Sequence, residues 1–302
     1  MHPMASLLSK TLTVGARVAP GLTGRAAFAL FVRPAGRPRL RPDQADTMAE
    51  AVTGRLTVDG IPVTTYRWGE GGRPVLVVHG WTSRASRFAG FIAALRAEGR
   101  TVISFDAPGG GESGGRATTI LRQRTIIRRL HAEYGDFSAV VAHSFGVLAT
   151  FFALRDGIRV DRIVAIGSIA DFDHLVERFR DMFGVGQGVE RAMRDHIQHR
   201  LFPDEPDIWP RFDAHRNPQE IPADILLVHD TDDDMTPPAQ SRSIAEAYGP
   251  RARLVVTRGL GHRRILADPG VITTAVEFLT APAGRAQDSG EMAAKGSVRW
   301  GS

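Results

Sequence analysis

A serine at a sharp turn is the residue of this chain best placed to act as a nucleophile. Ser144 lies at the centre of the pentapeptide 142–146, AHSFG, between the apolar runs 139–141 and 147–149. This pattern predicts a strand, a tight turn and a helix, with the serine hydroxyl projecting from the turn. Such a turn needs small residues two positions before and after the serine, and Ala142 and Gly146 meet that need. The segment is a one-residue variant of the G-x-S-x-G nucleophile elbow.

A serine hydroxyl reacts near pH 7 only when a base accepts its proton and a carboxylate orients that base. His262 is the candidate base, because it follows a predicted strand at 253–257 and the glycine-rich segment 259–261. Several aspartates compete for the role of the acid. Asp230, Asp232, Asp233 and Asp234 follow the apolar run 225–229, and Asp171 follows the run 163–166. The chain order is therefore serine, aspartate, histidine, which is typical of one class of hydrolase.

These motifs together resemble the α/β-hydrolase family, in particular its single-domain serine esterases and lipases. The resemblance covers roughly residues 55 to 280. In the family the acid occupies a G-x-x-D-x-x-V-P context, and in segment 230–237, DTDDDMTP, Asp233 falls at that position. The family histidine follows G-x-G, and segment 259–262, GLGH, matches without departure. The resemblance therefore implies Ser144, Asp233 and His262 as catalytic residues.

The resemblance also implies an oxyanion hole. Segment 74–81, PVLVVHGW, reads as a buried strand that ends in a His-Gly turn. In the family, the backbone N–H after that turn and the N–H after the nucleophile bind the oxyanion. By position these are the N–H groups of Trp81 and Phe145. The segment 106–113, DAPGGGES, further resembles the family's D-x-P-G-x-G-x-S turn, with Gly110 where a histidine is common.

The elements that must position these residues alternate along the chain. We predict strands at 56–58, 63–68, 75–79, 101–105, 139–142, 163–166, 225–229 and 253–257, and helices at 87–98, 117–133, 145–155, 238–248 and 269–280. This alternation predicts an α/β fold with a mostly parallel central sheet flanked by helices. The long interval between the sixth and seventh strands predicts a small helical cap insertion at about 168–222, with helix-like spacing from Asp171 to Leu201.

Composition narrows the class of function. The chain has 302 residues and 43% hydrophobic content, enough for one α/β domain at 51–280. It contains no cysteine, which excludes disulfides and thiol nucleophiles. The net charge of +5 comes almost entirely from arginine, without a nucleic-acid-binding motif. His196 and His199 lie three apart without a completing carboxylate cluster. We therefore expect no metal, no cofactor and no nucleic-acid partner.

Both ends of the chain differ from its centre. Residues 1–50 form a basic and apolar arm: seven Lys or Arg residues and no acidic residue occur before Asp43. The apolar stretch 26–32 is too short to span a bilayer and lacks a following cleavage site. The arm therefore either packs on the core, which we favour, or makes weak contact with an anionic membrane surface. We expect a cytoplasmic protein with a disordered tail at 281–302.

The sequence thus favours a cofactor-independent serine hydrolase that acts on a small-molecule carboxylic ester with an apolar acyl or alkyl group. The aromatic and Met side chains of the insertion suggest an apolar pocket, although the same residues could serve only to hold the insertion on the core. The shared catalytic residues also leave thioester, amide and perhydrolytic reactions open. The alternative from another class is a non-catalytic protein that binds a lipid or a partner through the same pocket.

Overall fold

The computed structural model describes residues 3–33, 36–204 and 208–282. All eight predicted strands are present and form one sheet. The strands are β1 (Val52–Val58), β2 (Ile61–Trp68), β3 (Val75–Val78), β4 (Val102–Phe105), β5 (Phe137–His143), β6 (Val160–Ile166), β7 (Asp224–Asp230) and β8 (Ala252–Thr257). Their order is β1-β2-β4-β3-β5-β6-β7-β8; β2 runs antiparallel to both of its neighbours, β1 and β4, and every other neighbouring pair is parallel. The predicted α/β-hydrolase fold is confirmed.

Helices cover both faces of the sheet. The α-helices are α1 (Pro3–Val18), α2 (Pro20–Phe31), α3 (Ala45–Ala49), α4 (Ala89–Ala97), α5 (Ile120–Tyr134), α6 (Phe145–Leu154), α7 (Phe172–Phe183), α8 (Gln187–Leu201), α9 (Ala239–Tyr248), α10 (Gly261–Arg264) and α11 (Pro269–Thr280). Helices α5, α6 and α9 pack on one face of the sheet. Helices α4 and α11 pack on the other face. Because both faces are covered, the central strands β3 and β4 are buried at every position instead of alternating between buried and exposed residues.

Several element boundaries differ from the prediction by a few residues, and three differences have clear local reasons. The first strand begins at Val52 instead of residue 56, since its register with β2 extends to Val52 opposite Arg67. Helix α5 begins after residue 117 because Thr119 caps it, its hydroxyl accepting a hydrogen bond from the N–H of Arg122 at 3.2 Å. The helix-like stretch 171–201 is broken at Gly184, which ends α7 in the left-handed conformation.

The insertion between β6 and β7 consists of α7, α8 and two short 3-10 turns, Trp209–Phe212 and Pro218–Glu220. The N-terminal helices α1 and α2 contact each other and pack mainly on α8 of this insertion, not on the sheet; we call this pair the α1–α2 hairpin. Close approach is possible because of Gly24: a Cβ there would lie 1.9 Å from the carbonyl oxygen of Ala192. Among the described residues, no helix combines the length and apolar character needed to cross a bilayer. Nearly all of the predicted disordered tail, 283–302, lies outside the described residues.

Candidate active site

The backbone at Ser144 is held in a conformation that side chains rarely adopt. Ser144 connects β5 directly to α6 with φ of +56° and ψ of −124°. Such a conformation costs on the order of 1–3 kcal/mol and persists only when the surroundings fix it. Here β5 is paired on both sides, with β3 and with β6, and the N–H of Ser144 donates to the carbonyl oxygen of Ile166 at 2.9 Å. The sheet therefore presents the serine at the carboxyl ends of its parallel strands.

Glycines allow the tight turn at Ser144. A Cβ on Gly146 would lie 2.6 Å from the carbonyl oxygen of Val78 and 2.7 Å from that of His79. A Cβ on Gly80 would lie 2.9 Å from the Cβ of Ser144. Real Cβ atoms do not approach this closely, so the end of β3, the turn and the start of α6 can meet only through glycine.

The structure brings Ser144, His262 and Asp233 together. The Oγ of Ser144 lies 3.0 Å from Nε2 of His262, and Nδ1 of His262 lies 2.7 Å from Oδ2 of Asp233. A carboxylate only accepts hydrogen bonds, so Nδ1 of His262 carries the proton and Nε2 is free to accept one from Ser144. All three residues are buried or nearly so, since the Asp233 side chain is 1% exposed and His262 is 8% exposed. The arrangement can thus transfer the serine proton to the histidine.

Asp233 is fixed by four hydrogen-bond donors. Its Oδ1 accepts from the N–H groups of Met235 at 2.9 Å and Thr236 at 2.8 Å. Its Oδ2 accepts from His262 and also lies 3.4 Å from Nε2 of His229. Burial alone would raise the pKa of the Asp233 carboxyl, but the hydrogen bonds from His229 and His262 outweigh it and hold this pKa well below its usual range. Asp233 therefore stays ionised at neutral pH.

The other candidate acids are engaged elsewhere. Asp230 accepts from the N–H groups of Asp232, Leu260 and Gly261 and from the hydroxyl of Thr257, so it shapes the loop that carries His262. Asp232 accepts from the N–H of Gly259, and Asp234 is exposed. Asp171 caps helix α7 and binds Gln240. No aspartate caps α9, whose N-cap residue is Pro238. Of the five aspartates, only Asp233 contacts His262.

His229 is a buried contact of Asp233 that the sequence did not single out. Its Nε2 lies 2.9 Å from the carbonyl oxygen of Thr236, and its Nδ1 lies 2.7 Å from the hydroxyl of Ser241. Since Thr236 O can only accept, Nε2 carries the proton and Nδ1 accepts from Ser241. The one sequence signal is a histidine at the end of an otherwise apolar strand. This residue holds the loop after β7 against Asp233.

His143 and His79 support the turn from the sides. Nε2 of His143 lies 2.9 Å from the backbone carbonyl oxygen of His262, and the two rings are 4.6 Å apart. Burial, reinforced by the neighbouring His262, lowers the pKa of His143 to about 3. Nδ1 of His79 donates to the carbonyl oxygen of Gly80 at 2.8 Å, and its Nε2 accepts from the N–H of Ala107 at 2.9 Å. Both rings are therefore neutral and tie backbone segments together.

The N–H groups of Trp81 and Phe145 are free to bind an anion. Neither of them donates to a protein acceptor within the described part of the chain. Phe145 is the first residue of α6, where the helix dipole adds partial positive charge. Trp81 directly follows Gly80, which touches Ser144, and the rings of Trp81 and Phe145 meet edge to face at 4.8 Å. Both N–H groups therefore lie close to the serine.

An apolar cavity adjoins this site. It has a volume of about 30 Å³, room for one or two water molecules. Trp81 and Phe145 contribute to its wall, the insertion adds Phe172, and the N-terminal hairpin adds Phe28 and Phe31. Pockets that enclose organic ligands usually measure roughly 300–1,000 Å³. The cavity as it stands is thus a narrow slot that an acyl or alkyl chain could occupy only if the surrounding aromatic side chains moved.

Comparisons with known proteins agree with this architecture. The model of the alpha/beta hydrolase family matches residues 75–275, well over half of the chain. An esterase from Pyrococcus furiosus is similar in structure, with a TM-score of 0.58 and 20% identity over 82% of this chain and 97% of that one. A monoacylglycerol lipase from Paleococcus ferrophilus has a TM-score of 0.54 and 20% identity, covering 72% of this chain and 98% of its own.

A thioesterase domain from the curacin biosynthetic pathway is also similar, with a TM-score of 0.55 and 15% identity over 76% of this chain and 99% of that domain. No curated protein sequence matches the chain significantly. At these levels of identity, the solved structures share the fold with this chain.

Proposed function

This chain belongs to the alpha/beta hydrolase family, and we propose that it is a serine hydrolase that cleaves carboxylic esters with an apolar acyl or alkyl group. The proposal rests on the chain of hydrogen bonds from Ser144 through His262 to Asp233. Oγ of Ser144 lies 3.0 Å from Nε2 of His262, and Nδ1 of His262 lies 2.7 Å from Oδ2 of Asp233. A non-catalytic lipid or partner-binding protein would have no need to keep this geometry in a strained backbone.

In the proposed reaction, Oγ of Ser144 attacks the ester carbonyl while Nε2 of His262 accepts the hydroxyl proton. The ionised Asp233 stabilises the imidazolium through the Nδ1–H bond. The resulting oxyanion is bound by the N–H groups of Trp81 and Phe145, an interaction worth roughly 3 kcal/mol per donor in comparable enzymes. His262 then protonates the leaving alcohol, and an acyl group remains on Ser144.

Hydrolysis of the acyl-enzyme completes the cycle. Water enters at the place vacated by the alcohol, and Nε2 of His262 takes its proton as it attacks the acyl carbon. The second tetrahedral intermediate collapses, and Ser144 recovers its proton from His262. The proposed steps need only the substrate, water and side chains and N–H groups of the chain, so the reaction we propose uses no cofactor.

Two observations favour an apolar substrate. The cavity beside Trp81 and Phe145 is walled mainly by aromatic and aliphatic side chains. We interpret the insertion of α7 and α8 as a cap over this cavity. The similar solved structures include an esterase, a monoacylglycerol lipase and a thioesterase domain, so an acyl group is the part of the substrate common to all three. Such an acyl group would enter the narrow cavity once the aromatic side chains around it move.

A series of p-nitrophenyl esters of increasing acyl length tests the proposal. We expect hydrolysis of the acetate and butyrate esters by the native protein and no enzymatic hydrolysis by Ser144→Ala. A matched butyryl thioester, measured alongside, separates the two bond types, and a clear preference for the thioester would overturn the ester assignment. Equal rates for native protein and Ser144→Ala, or no turnover of any acyl substrate, would contradict the proposed function.

A further inference from the structure

The α1–α2 hairpin has two distinct faces, and its packing fixes which one is turned outward. The inner face contains Leu12 and Ala27, both buried, and Phe28 and Phe31, which border the apolar cavity. The hydroxyl of Ser9 also donates to the carbonyl oxygen of Gly184 at 2.7 Å, which holds α1 on the insertion. Because these contacts set the rotation of both helices, the residues of the outer face are defined as well.

The outer face exposes large apolar side chains around the turn between the helices. Val14 is 61% exposed, Val18 is 80% exposed and Leu22 is 72% exposed. Val14 and Val18 lie one helical turn apart on α1, and Leu22 is in the first turn of α2. Three of the seven large apolar side chains that are exposed in the described residues thus occur within nine positions of the chain. Scattered exposure is ordinary, but a cluster suggests a contact surface.

Cationic side chains accompany this apolar cluster. Lys10, Arg17 and Arg25 are exposed and form no ion pair within residues 3–33, 36–204 and 208–282. The chain contains no acidic residue before Asp43, so the hairpin itself carries none. Elsewhere in the described residues many surface arginines are paired, for example Arg122 with Asp59. The outer face of the hairpin therefore carries unneutralised positive charge beside exposed apolar side chains.

We propose that the outer face of the α1–α2 hairpin docks on the surface of an anionic lipid bilayer. The cations would pair with anionic headgroups, and Val14, Val18 and Leu22 would enter the boundary between headgroups and acyl chains. Charge complementarity alone would also suit a nucleic acid, but a phosphate backbone offers no environment for three exposed aliphatic side chains. Since the inner face of α2 lines the cavity, docking would hold the cavity near the membrane, behind the hairpin. This last point rests on the proposed function and would favour apolar esters that partition into the bilayer.

Vesicle co-sedimentation of the full chain tests the docking surface. The protein carries Ser144→Ala, so that lipid hydrolysis cannot alter the vesicles and binding is measured apart from catalysis. We expect it to sediment with phosphatidylcholine vesicles that contain phosphatidylserine, and much less with phosphatidylcholine alone. Added salt should weaken the binding, because it screens the headgroup charge. Absence of binding to the anionic vesicles would overturn the proposal and leave the hydrolase assignment intact.

Substitutions on the outer face of the α1–α2 hairpin test whether this face is the one that binds vesicles. Each cation near an anionic surface contributes roughly fivefold to vesicle binding. The combined variant Lys10→Gln, Arg17→Gln and Arg25→Gln should therefore lower the vesicle partition coefficient about a hundredfold. Combined Val18→Ser and Leu22→Ser should lower it as well. All of these positions are exposed, so we expect unchanged thermal unfolding.

A matched control removes the same charge elsewhere. Arg129, Arg242 and Arg253 are exposed and lie outside the hairpin, and their combined change to Gln should leave partitioning within a few-fold of the parent. An equal loss in this control would show that net charge alone acts and would contradict a defined docking face. A dimer in size-exclusion chromatography that Leu22→Ser dissociates, without vesicle binding by the parent, would assign the face to a second copy of the chain instead.

Discussion

Replacement of Asp233 by asparagine should abolish activity through the tautomer of His262. Two backbone N–H groups, from Met235 and Thr236, point at Oδ1 at 2.9 and 2.8 Å. Asparagine keeps these bonds only with its carbonyl oxygen at Oδ1, which places its NH2 group opposite Nδ1 of His262. The opposite orientation would leave two buried N–H groups unpaired, at a cost of about 1–3 kcal/mol each. The first orientation therefore prevails.

An NH2 group facing Nδ1 forces His262 to accept there and to carry its proton on Nε2. That nitrogen lies 3.0 Å from Oγ of Ser144 and can then no longer accept the serine proton. By analogy with serine proteases, kcat should fall about 10⁴-fold, equivalent to about 5.5 kcal/mol of transition-state stabilisation. Steady-state hydrolysis of p-nitrophenyl butyrate measures the effect. The matched control is Asp234→Asn, since Asp234 is exposed and does not contact His262.

The effect of Asp233→Asn on the free energy of unfolding should depend on pH. The pKa of folded Asp233 lies below the unfolded value of about 3.9. The ionised carboxylate therefore stabilises the fold above that pH, and this contribution is lost as pH falls through the folded pKa. The difference in unfolding free energy between native protein and Asp233→Asn should shrink below about pH 3.9. A folded Asp233→Asn variant with activity within tenfold of the native protein would show that Asp233 does not set the tautomer of His262.

Two further predictions concern the support of the turn. His143 has a folded pKa of about 3, below its unfolded value near 6.5, so the unfolded state binds more protons between these values and stability falls as pH drops. This loss amounts to roughly 1.4 kcal/mol of unfolding free energy per pH unit. In urea unfolding, His143→Gln should reduce this pH dependence, whereas the control at exposed His199→Gln should leave it unchanged. Equal pH dependence in the native protein and His143→Gln would argue against a buried neutral His143. Gly146→Ala should cost about 1–3 kcal/mol and most activity, because its Cβ meets the carbonyl oxygens at the end of β3. Exposed, helical Gly21→Ala has open space and should be neutral or stabilising in the same thermal unfolding assay.

The strands and the order of the site residues could be predicted because they depend on local patterns. Buried parallel strands read as short apolar runs, and the elbow at Ser144 needs small residues at fixed positions. The glycine-rich approach to His262 and the register of Asp233 are likewise local. The helix break at Gly184 also has a local signal, because the glycines at 184, 186 and 188 interrupt the helix-like spacing that we extend from Asp171 to Leu201.

Other features depend on contacts between distant parts of the chain. Nothing in the sequence places His229 on Asp233, because that contact follows from the path of the loop after β7. The packing of the N-terminal hairpin on the insertion requires the fit of Gly24 against α8, which only the assembled helices reveal. The width of the cavity likewise reflects how aromatic side chains from three segments meet.

Covalent labelling tests whether Ser144 is a nucleophile activated by His262. The native protein is incubated with a p-nitrophenyl phosphonate, and the intact protein and its peptides are then measured by mass spectrometry. We expect one phosphonyl group per chain, located on Ser144, and no labelling of Ser144→Ala under the same conditions. A folded native protein that remains unlabelled, or a label that appears at the same rate on another residue in Ser144→Ala, would contradict this role of Ser144.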